Sequence, residues 1–193
     1  AVDFVSEAVA AKTVPGAALV ATRGGRIFLE KYWGVCSGVD RDGVPYDGNT
    51  QNFVYSFSKA VTATVMVMAH QDGLVDYDAP VSRYIPEFTG GGKEAITIRH
   101  LLTHTSGLPA GLPPRPAWRG EAAAFKLACA QAVTDLPGTA FRYSDINFLL
   151  LGWLVQRRAG MPLNQFAAQR IFQPLAMRDT GFLPLPRVEA ARI

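Results

Sequence analysis

The feature that most constrains this chain is an uncharged helical stretch that carries a serine and a lysine at its start. In the segment FVYSFSKAVTATVMVMA (53–69), Ser56 and Lys59 are three residues apart, a spacing that puts both side chains on one face of a helix. Ala63 and Met66 continue that face, which is otherwise apolar. A lysine ammonium on a buried face is costly unless it is paired or loses its proton. The pattern therefore predicts a helix from about Ser56 whose lysine helps to remove the proton of the Ser56 hydroxyl.

Other interpretations of this S-x-x-K pattern remain open. Ser56 or Ser58 could be an N-cap residue of the helix, and Lys59 could extend its ammonium to water along its methylene groups. A serine and a lysine at this spacing also occur by chance, so the motif alone is a weak signal.

The chain begins with a helix and a hairpin and continues mainly as helices. Helical spacing covers 2–12, and two strand-like runs, 17–22 and 26–33, are joined by Gly24 and Gly25, which suit a tight turn. Further helices are predicted over 56–72, 97–102, 121–133, 146–159 and 162–172.

This organisation predicts an α+β fold with three regions. They are the N-terminal helix and hairpin (1–55), the central helix with the candidate nucleophile (56–73) and a mostly helical remainder (74–193). A two-stranded sheet is marginal in water by itself. We therefore expect further strands to complete the sheet, either from later residues of a longer protein or from a second chain.

Composition supports a globular protein and argues against several classes of partner. Of the 193 residues, 49% are hydrophobic and 18% charged, enough for a real core. The net charge of +3 comes from dispersed basic residues, which does not favour nucleic-acid binding. The uncharged runs are shorter than the roughly 18 residues that a membrane span needs, so no transmembrane helix is predicted. Cys36 and Cys129 are both expected to be free and buried.

Four segments together resemble the serine β-lactamase and penicillin-binding protein superfamily, nearest the class C β-lactamases and the β-lactamase-like carboxylesterases and D-peptidases. The segments are YSFSK (55–59), ITIRHLLTHTSGLP (96–109), FRYSDINFLLLG (141–152) and PLAMRDTGF (174–182). They occur in the family's order and extend over nearly the whole chain. The resemblance implies a β-lactamase/transpeptidase-like fold that needs no cofactor. It also favours a periplasmic or secreted location over a cytoplasmic one.

The resemblance also implies roles for three residues. Ser56 matches the family nucleophile, which attacks a carbonyl to form an acyl-enzyme, and Lys59 matches the lysine that helps to activate it. Tyr143 matches the first residue of the family's YxN motif, whose tyrosine acts as a base. The expected substrate is a small ester, amide or β-lactam.

Two departures from the family pattern refine this expectation. Asp145 stands where the class C enzymes have asparagine. An aspartate would keep Lys59 protonated and could not donate an amide hydrogen bond to a β-lactam side chain, so we expect an esterase or peptidase rather than a lactamase. Alternatively, Asp145 or Ser144 only caps the following helix. The family's third motif, a strand of the KTG or HxG type, is absent from these 193 residues, so the chain is expected to be the front part of a larger protein.

The remaining polar and aromatic residues are interpreted mainly as structure. His104 and Ser106 share one loop and cannot form a catalytic triad by themselves. Trp118, in a proline-rich loop, is the best further candidate for substrate contact. No group of His, Cys or carboxylate residues has the spacing of a metal site. The alternative function, from another class, is a noncatalytic or incomplete binding module that needs a second chain or fragment.

Overall fold

A computed structural model describes residues 1–36 and 43–182, which belong to two compact units. One unit contains Ala1–Val54 and the chain from Asp179 onward, and the other contains Tyr55–Arg178. None of the described helices is both long and apolar enough to cross a bilayer. The fold is α+β, as predicted.

The first unit consists of helix α1 (Val2–Ala10) and an antiparallel hairpin. Strand β1 (Gly16–Arg23) pairs with β2 (Arg26–Gly34), and the register shifts after Ala21. The turn residues Gly24 and Gly25 both have positive φ angles, 56° and 76°, which is why glycine is favoured there. Within the described residues the sheet has only these two strands, and α1 packs against both. The predicted hairpin is confirmed, while α1 ends two residues earlier than predicted.

The second unit is helical. Its α-helices are α2 (Ser58–Gln71), α3 (Ile98–Leu102), α4 (Glu121–Ala130), α5 (Asp145–Ala159) and α6 (Leu163–Ala167), and α6 continues as a π-helical turn, Ala168–Phe172. Helix α5 packs against each of the other four. The core side chains that α2 and α5 contribute, such as Met66 and Leu150, are fully buried. The unit is thus built around α5, and this positions the first turn of α5 beside the start of α2.

Local sequence signals explain two of the helix ends. Thr97 and His100 form a reciprocal capping box at the start of α3, as the sequence suggested for Thr97. Helix α4 ends at Ala130, three residues before the predicted end. There the buried Lys93 ammonium donates to the carbonyl oxygens of Cys129 (2.6 Å) and Gln131 (3.2 Å), so a distant cation satisfies the helix C-terminus.

Both cysteines are free and buried, as predicted. Burial raises the pKa of the Cys129 thiol to about 11, so this sulfur stays a neutral thiol at physiological pH.

Candidate active site

Ser56 lies in a 3₁₀ turn, Tyr55–Phe57, directly before α2. The predicted helix therefore starts at Ser58 rather than at Ser56. No side chain caps α2 by a hydrogen bond, so neither Ser56 nor Ser58 has the N-cap role considered from the sequence. Tyr55 has a φ of 41°, a left-handed conformation that is unfavourable for a residue with a side chain. The Ser56 side chain is exposed, and it lies at the point where the chain turns into the helix.

Lys59 connects Ser56 to Asp145. Its Nζ lies 3.2 Å from Ser56 Oγ and 2.6 Å from Asp145 Oδ1. Its side chain is only 16% exposed, so the ammonium is held inside the site instead of extending to water. Burial lowers the pKa of Lys59, but hydrogen bonds with Asp145 and Tyr143 outweigh burial and leave the pKa raised. The raised pKa favours the cationic form of Lys59.

Asp145 is the first residue of α5, and the 104–110 loop holds the start of that helix. The Asp145 N–H donates to the Ala110 carbonyl (2.8 Å) and the Ser144 hydroxyl donates to the Pro109 carbonyl (2.5 Å). No side-chain hydrogen bond caps α5. Ser144 therefore occupies the N-cap position without making a side-chain capping hydrogen bond, and the Asp145 carboxylate faces Lys59.

Tyr143 lies beside the same ammonium. Lys59 Nζ is 4.8 Å from the centroid of the Tyr143 ring. Hydrogen bonds to the phenol from Lys59, and secondarily from Ser56, lower the pKa of Tyr143 below its usual value of 10.0. A phenol with a lowered pKa next to a serine hydroxyl can accept the proton of that hydroxyl. The four polar residues predicted for the site are thus brought together where α2 and α5 begin: Lys59 and Asp145 lie in the first turns of these helices, and Ser56 and Tyr143 lie just before them.

Trp118 is placed apart from these four residues. Its indole Nε1 donates to the Pro113 carbonyl at 2.8 Å. Its side chain lines a hollow of about 420 Å³ together with Phe148 and Leu149 of α5. Phe148 connects this hollow to the site, because the Phe148 ring centroid is 5.9 Å from Lys59 Nζ.

Two residues next to the site were not assigned to it from the sequence. The buried His104 ring lies 4.5 Å from the Tyr143 ring, centroid to centroid. Phe148 packs 5.1 Å from the same histidine. Phe148 follows Asp145 by three residues, so helical spacing could have indicated that it faces the site. No local signal could have placed His104 there, because it is 39 positions from Tyr143 along the sequence.

The sequence model of the family described as Beta-lactamase matches residues 1–192. The chain belongs to the Beta-lactamase family. This confirms the superfamily inferred from the four sequence segments, a superfamily of serine hydrolases. It also agrees with the α+β architecture of the described residues.

The chain is similar to individual proteins of the β-lactamase family that carry different descriptions. Protein flp of Staphylococcus aureus (strain MW2) is 29% identical over 176 residues, which are 88% of this chain and 35% of that protein. The crystal structure of a class C β-lactamase is 26% identical with a TM-score of 0.77, covering 91% of this chain and 48% of its own. EstCE1, a hydrolase with promiscuous acyltransferase activity, is 25% identical with a TM-score of 0.82, covering 93% and 51%.

These β-lactamase family relatives are much longer than this chain. The chain spans about a third of the curated relative and about half of each solved structure. The shared fold and the hydrolase superfamily therefore hold for this chain.

Proposed function

We propose that the protein is a serine hydrolase that cleaves an ester or amide through an acyl-enzyme on Ser56. The observation that carries the proposal is the contact of one ammonium, Lys59, with the Ser56 hydroxyl and the Asp145 carboxylate, beside a phenol whose pKa is lowered. An unassisted serine hydroxyl is a weak nucleophile, and an adjacent base is what activates it.

In the proposed reaction Tyr143 is the base and Lys59 remains a cation throughout. As the Ser56 Oγ bonds to the substrate carbonyl carbon, its proton passes to the Tyr143 oxygen. The bond to the leaving group then breaks, and Tyr143 returns the proton to that group. In the second half of the reaction Tyr143 takes a proton from water as the water oxygen bonds to the acyl carbon. The bond from that carbon to Ser56 Oγ then breaks, Tyr143 gives the proton to Oγ, and the acyl group leaves as a carboxylic acid. The fixed charge of Lys59 favours the phenolate form of Tyr143 at each step.

The Ser56 backbone amide, at the start of α2, is the proposed donor to the oxyanion that develops on the carbonyl. Such sites use two donors, and we propose that the second comes from a strand that extends the sheet. The same extension would supply a wall of the cleft. It belongs either to further residues of the protein or to a second chain.

Asp145 favours esters or peptides over β-lactams as substrates. A carboxylate accepts hydrogen bonds but cannot donate one to the side-chain carbonyl of a β-lactam. The named relatives include both a class C β-lactamase and a hydrolase with acyltransferase activity, so family membership leaves the choice open.

Trp118 is proposed to contact the substrate from the hollow that it shares with Phe148. The lining of that hollow is mainly aromatic and aliphatic, which suits an apolar acyl or alcohol group. Trp118→Ala is expected to raise KM for a long-chain ester more than for an acetate ester.

The decisive test is covalent labelling of the purified protein by a fluorophosphonate and by a fluorescent penicillin, read by intact mass and peptide mapping. We expect an adduct on Ser56, faster with the fluorophosphonate. Ser56→Ala should abolish labelling and ester hydrolysis, whereas Ser58→Ala, two residues further on, should leave both unchanged. Tyr143→Phe should lower turnover by about 100-fold or more, as expected for loss of a general base, without changing the circular dichroism spectrum.

Two outcomes would contradict the proposal. Ester hydrolysis that survives Ser56→Ala would show that the nucleophile is elsewhere. A folded protein that neither probe labels would instead favour the noncatalytic binding module.

A further inference from the structure

We propose that His104 is a positioning residue for Tyr143, holding the phenol against Lys59 and Ser56 through hydrogen bonds to both neighbours of Tyr143 in the chain. The proposal rests on the assignment of Tyr143 as the base. The 104–110 loop thereby has a function, although none of its residues takes part in the proposed reaction.

The first hydrogen bond is made by the His104 backbone. The Arg142 N–H donates to the His104 carbonyl at 2.8 Å. His104 has a φ of 57°, in the left-handed region that residues with side chains rarely adopt. Such a conformation persists only where the surrounding structure requires it. In this conformation the His104 carbonyl faces the Arg142 N–H, and the buried His104 ring packs against Tyr143.

The second hydrogen bond is made by the His104 ring. The Ser144 N–H donates to His104 Nδ1 at 3.1 Å, and both residues are buried. The residues on either side of Tyr143 are therefore both tied to His104. The ring itself packs against Tyr143 at 4.5 Å between centroids and against Phe148 at 5.1 Å.

A buried polar network requires Nδ1 to be an acceptor. The Leu108 N–H donates to Ser106 Oγ, and the Ser106 hydroxyl donates its proton to Asn147 Oδ1, at 2.7 Å. This orients the amide nitrogen of Asn147 toward His104 Nδ1, at 3.2 Å. Because both groups that face Nδ1 are donors, the imidazole is neutral and carries its proton on Nε2.

The charges around His104 also favour the neutral ring. Burial lowers the pKa of His104, the Lys59 ammonium lowers it further, and Asp145 acts in the opposite direction. A neutral imidazole leaves Lys59 as the cation beside Tyr143. The hydrogen bond from Lys59 is the largest cause of the lowered pKa of the phenol. Displacement of Tyr143 from Lys59 would therefore raise the pKa of Tyr143 and weaken the base at neutral pH.

The test compares two variants, one that keeps the ring packing of His104 and one that keeps its hydrogen-bond acceptor. His104→Phe keeps the ring packing and loses the acceptor. His104→Asn loses the ring but keeps an oxygen near the position of Nδ1. His100→Asn is the matched control, because His100 Nδ1 also accepts a backbone N–H, that of Thr97 at 3.2 Å, but within the cap of α3.

The first readout is the pH profile of ester hydrolysis by the purified protein. For His104→Phe we expect kcat to fall about 10- to 100-fold with little change in KM, as for a misplaced catalytic group. The acid limb of the profile should move to higher pH. In His104→Asn the acid limb should lie closer to its position in the unsubstituted protein, and in His100→Asn it should not move.

The second readout is the titration of Tyr143, followed by NMR of ζ-¹³C-tyrosine and assigned with Tyr143→Phe. It does not depend on activity, so it separates failure of this proposal from failure of the proposed reaction. A raised Tyr143 titration midpoint in His104→Phe supports the positioning role even if the protein hydrolyses no ester. If His104→Phe does not fold, His104→Gln replaces it, since its amide oxygen lies near Nε2 rather than Nδ1. An unshifted midpoint in folded His104→Phe or His104→Gln, or an equal shift in His100→Asn, would overturn the proposal.

Discussion

Lys59 is the residue on which the charge balance of the site depends. It is the cation that lowers the pKa of Tyr143, and the carboxylate of Asp145, 2.6 Å away, helps to keep it charged. Asp145 is itself 60% exposed, so its oxygen that does not bind Lys59 can face a substrate. We therefore propose that Asp145 influences both the charge of Lys59 and the selection of substrate.

At this scale we predict the effect of Asp145→Asn on substrate preference. The amide keeps an oxygen acceptor for Lys59 and adds a donor for a β-lactam side-chain carbonyl. One such hydrogen bond contributes about 1 kcal/mol, so the ratio of penicillin acylation to ester hydrolysis should rise about fivefold. Competition between the two probes for the purified protein measures this ratio.

The control for that prediction is Asp78→Asn. Asp78 pairs with Arg99 through two hydrogen bonds, at 2.7 and 2.8 Å, outside the site, so its replacement should not change the ratio. An unchanged ratio in Asp145→Asn would mean that Asp145 does not face the substrate.

Among the elements, the loop before α4 determines where α5 begins. Gly107 lies in that loop with a φ of 77°, and a Cβ there would approach the Asp135 carbonyl oxygen to 2.0 Å. The Thr134 N–H donates to the Gly107 carbonyl and the Gly138 N–H donates to the Thr105 carbonyl, both at 2.8 Å. The 104–110 loop is therefore held on one side by the 134–138 segment and on the other by the start of α5.

For this element we predict that Gly107→Ala lowers the free energy of unfolding by more than about 2 kcal/mol, because it combines left-handed strain with a backbone clash. Urea unfolding of the purified protein measures the change. Gly91→Ala is the matched control, since Gly91 also has a positive φ but nothing lies within 4 Å of its Cβ position. It should cost about 1 kcal/mol, the strain alone. Equal losses in the two variants would show that the close approach of Gly107 to Asp135 is not important for stability.

For the whole molecule, the hairpin leaves apolar side chains in solvent. Phe28 is 68% exposed and Ile27, the preceding residue of β2, is 59% exposed, and a two-stranded hairpin by itself is marginally stable. We propose that further strands extend this sheet and cover Phe28. The greater length of the relatives is consistent with such an extension.

We therefore predict that Phe28→Ser lowers the free energy of unfolding by more than about 1 kcal/mol, the scale for losing a buried aromatic surface. The measurement uses the natural protein, with the proposed covering strands present. Arg26→Ser, at the exposed start of the same strand, should change stability by less than about 0.5 kcal/mol. If the covering strand comes from a second chain, the stability will depend on protein concentration. A Phe28→Ser effect as small as that of Arg26→Ser would argue against a covered face.

Much of the secondary structure could be predicted because its signals are local. The hairpin follows from alternating residues around Gly24 and Gly25, and α5 from an apolar run that ends at Gly160. The error at the end of α4 involves a distant group. Helix α4 ends early because Lys93, 36 residues before Cys129, binds its last carbonyl groups.

The sequence by itself determined which residues are candidates for the site, since the S-x-x-K spacing and the four family segments are readable along the chain. The family pattern implied that Asp145 acts on Lys59, 86 residues away, and the tertiary structure shows that contact. Only the tertiary structure decided that His104 lies against Tyr143. The physical reason is the range of the interactions. Helix spacing and turn chemistry act over a few residues, whereas the pKa values of Lys59 and Tyr143 depend on groups that become neighbours only when α2 packs against α5.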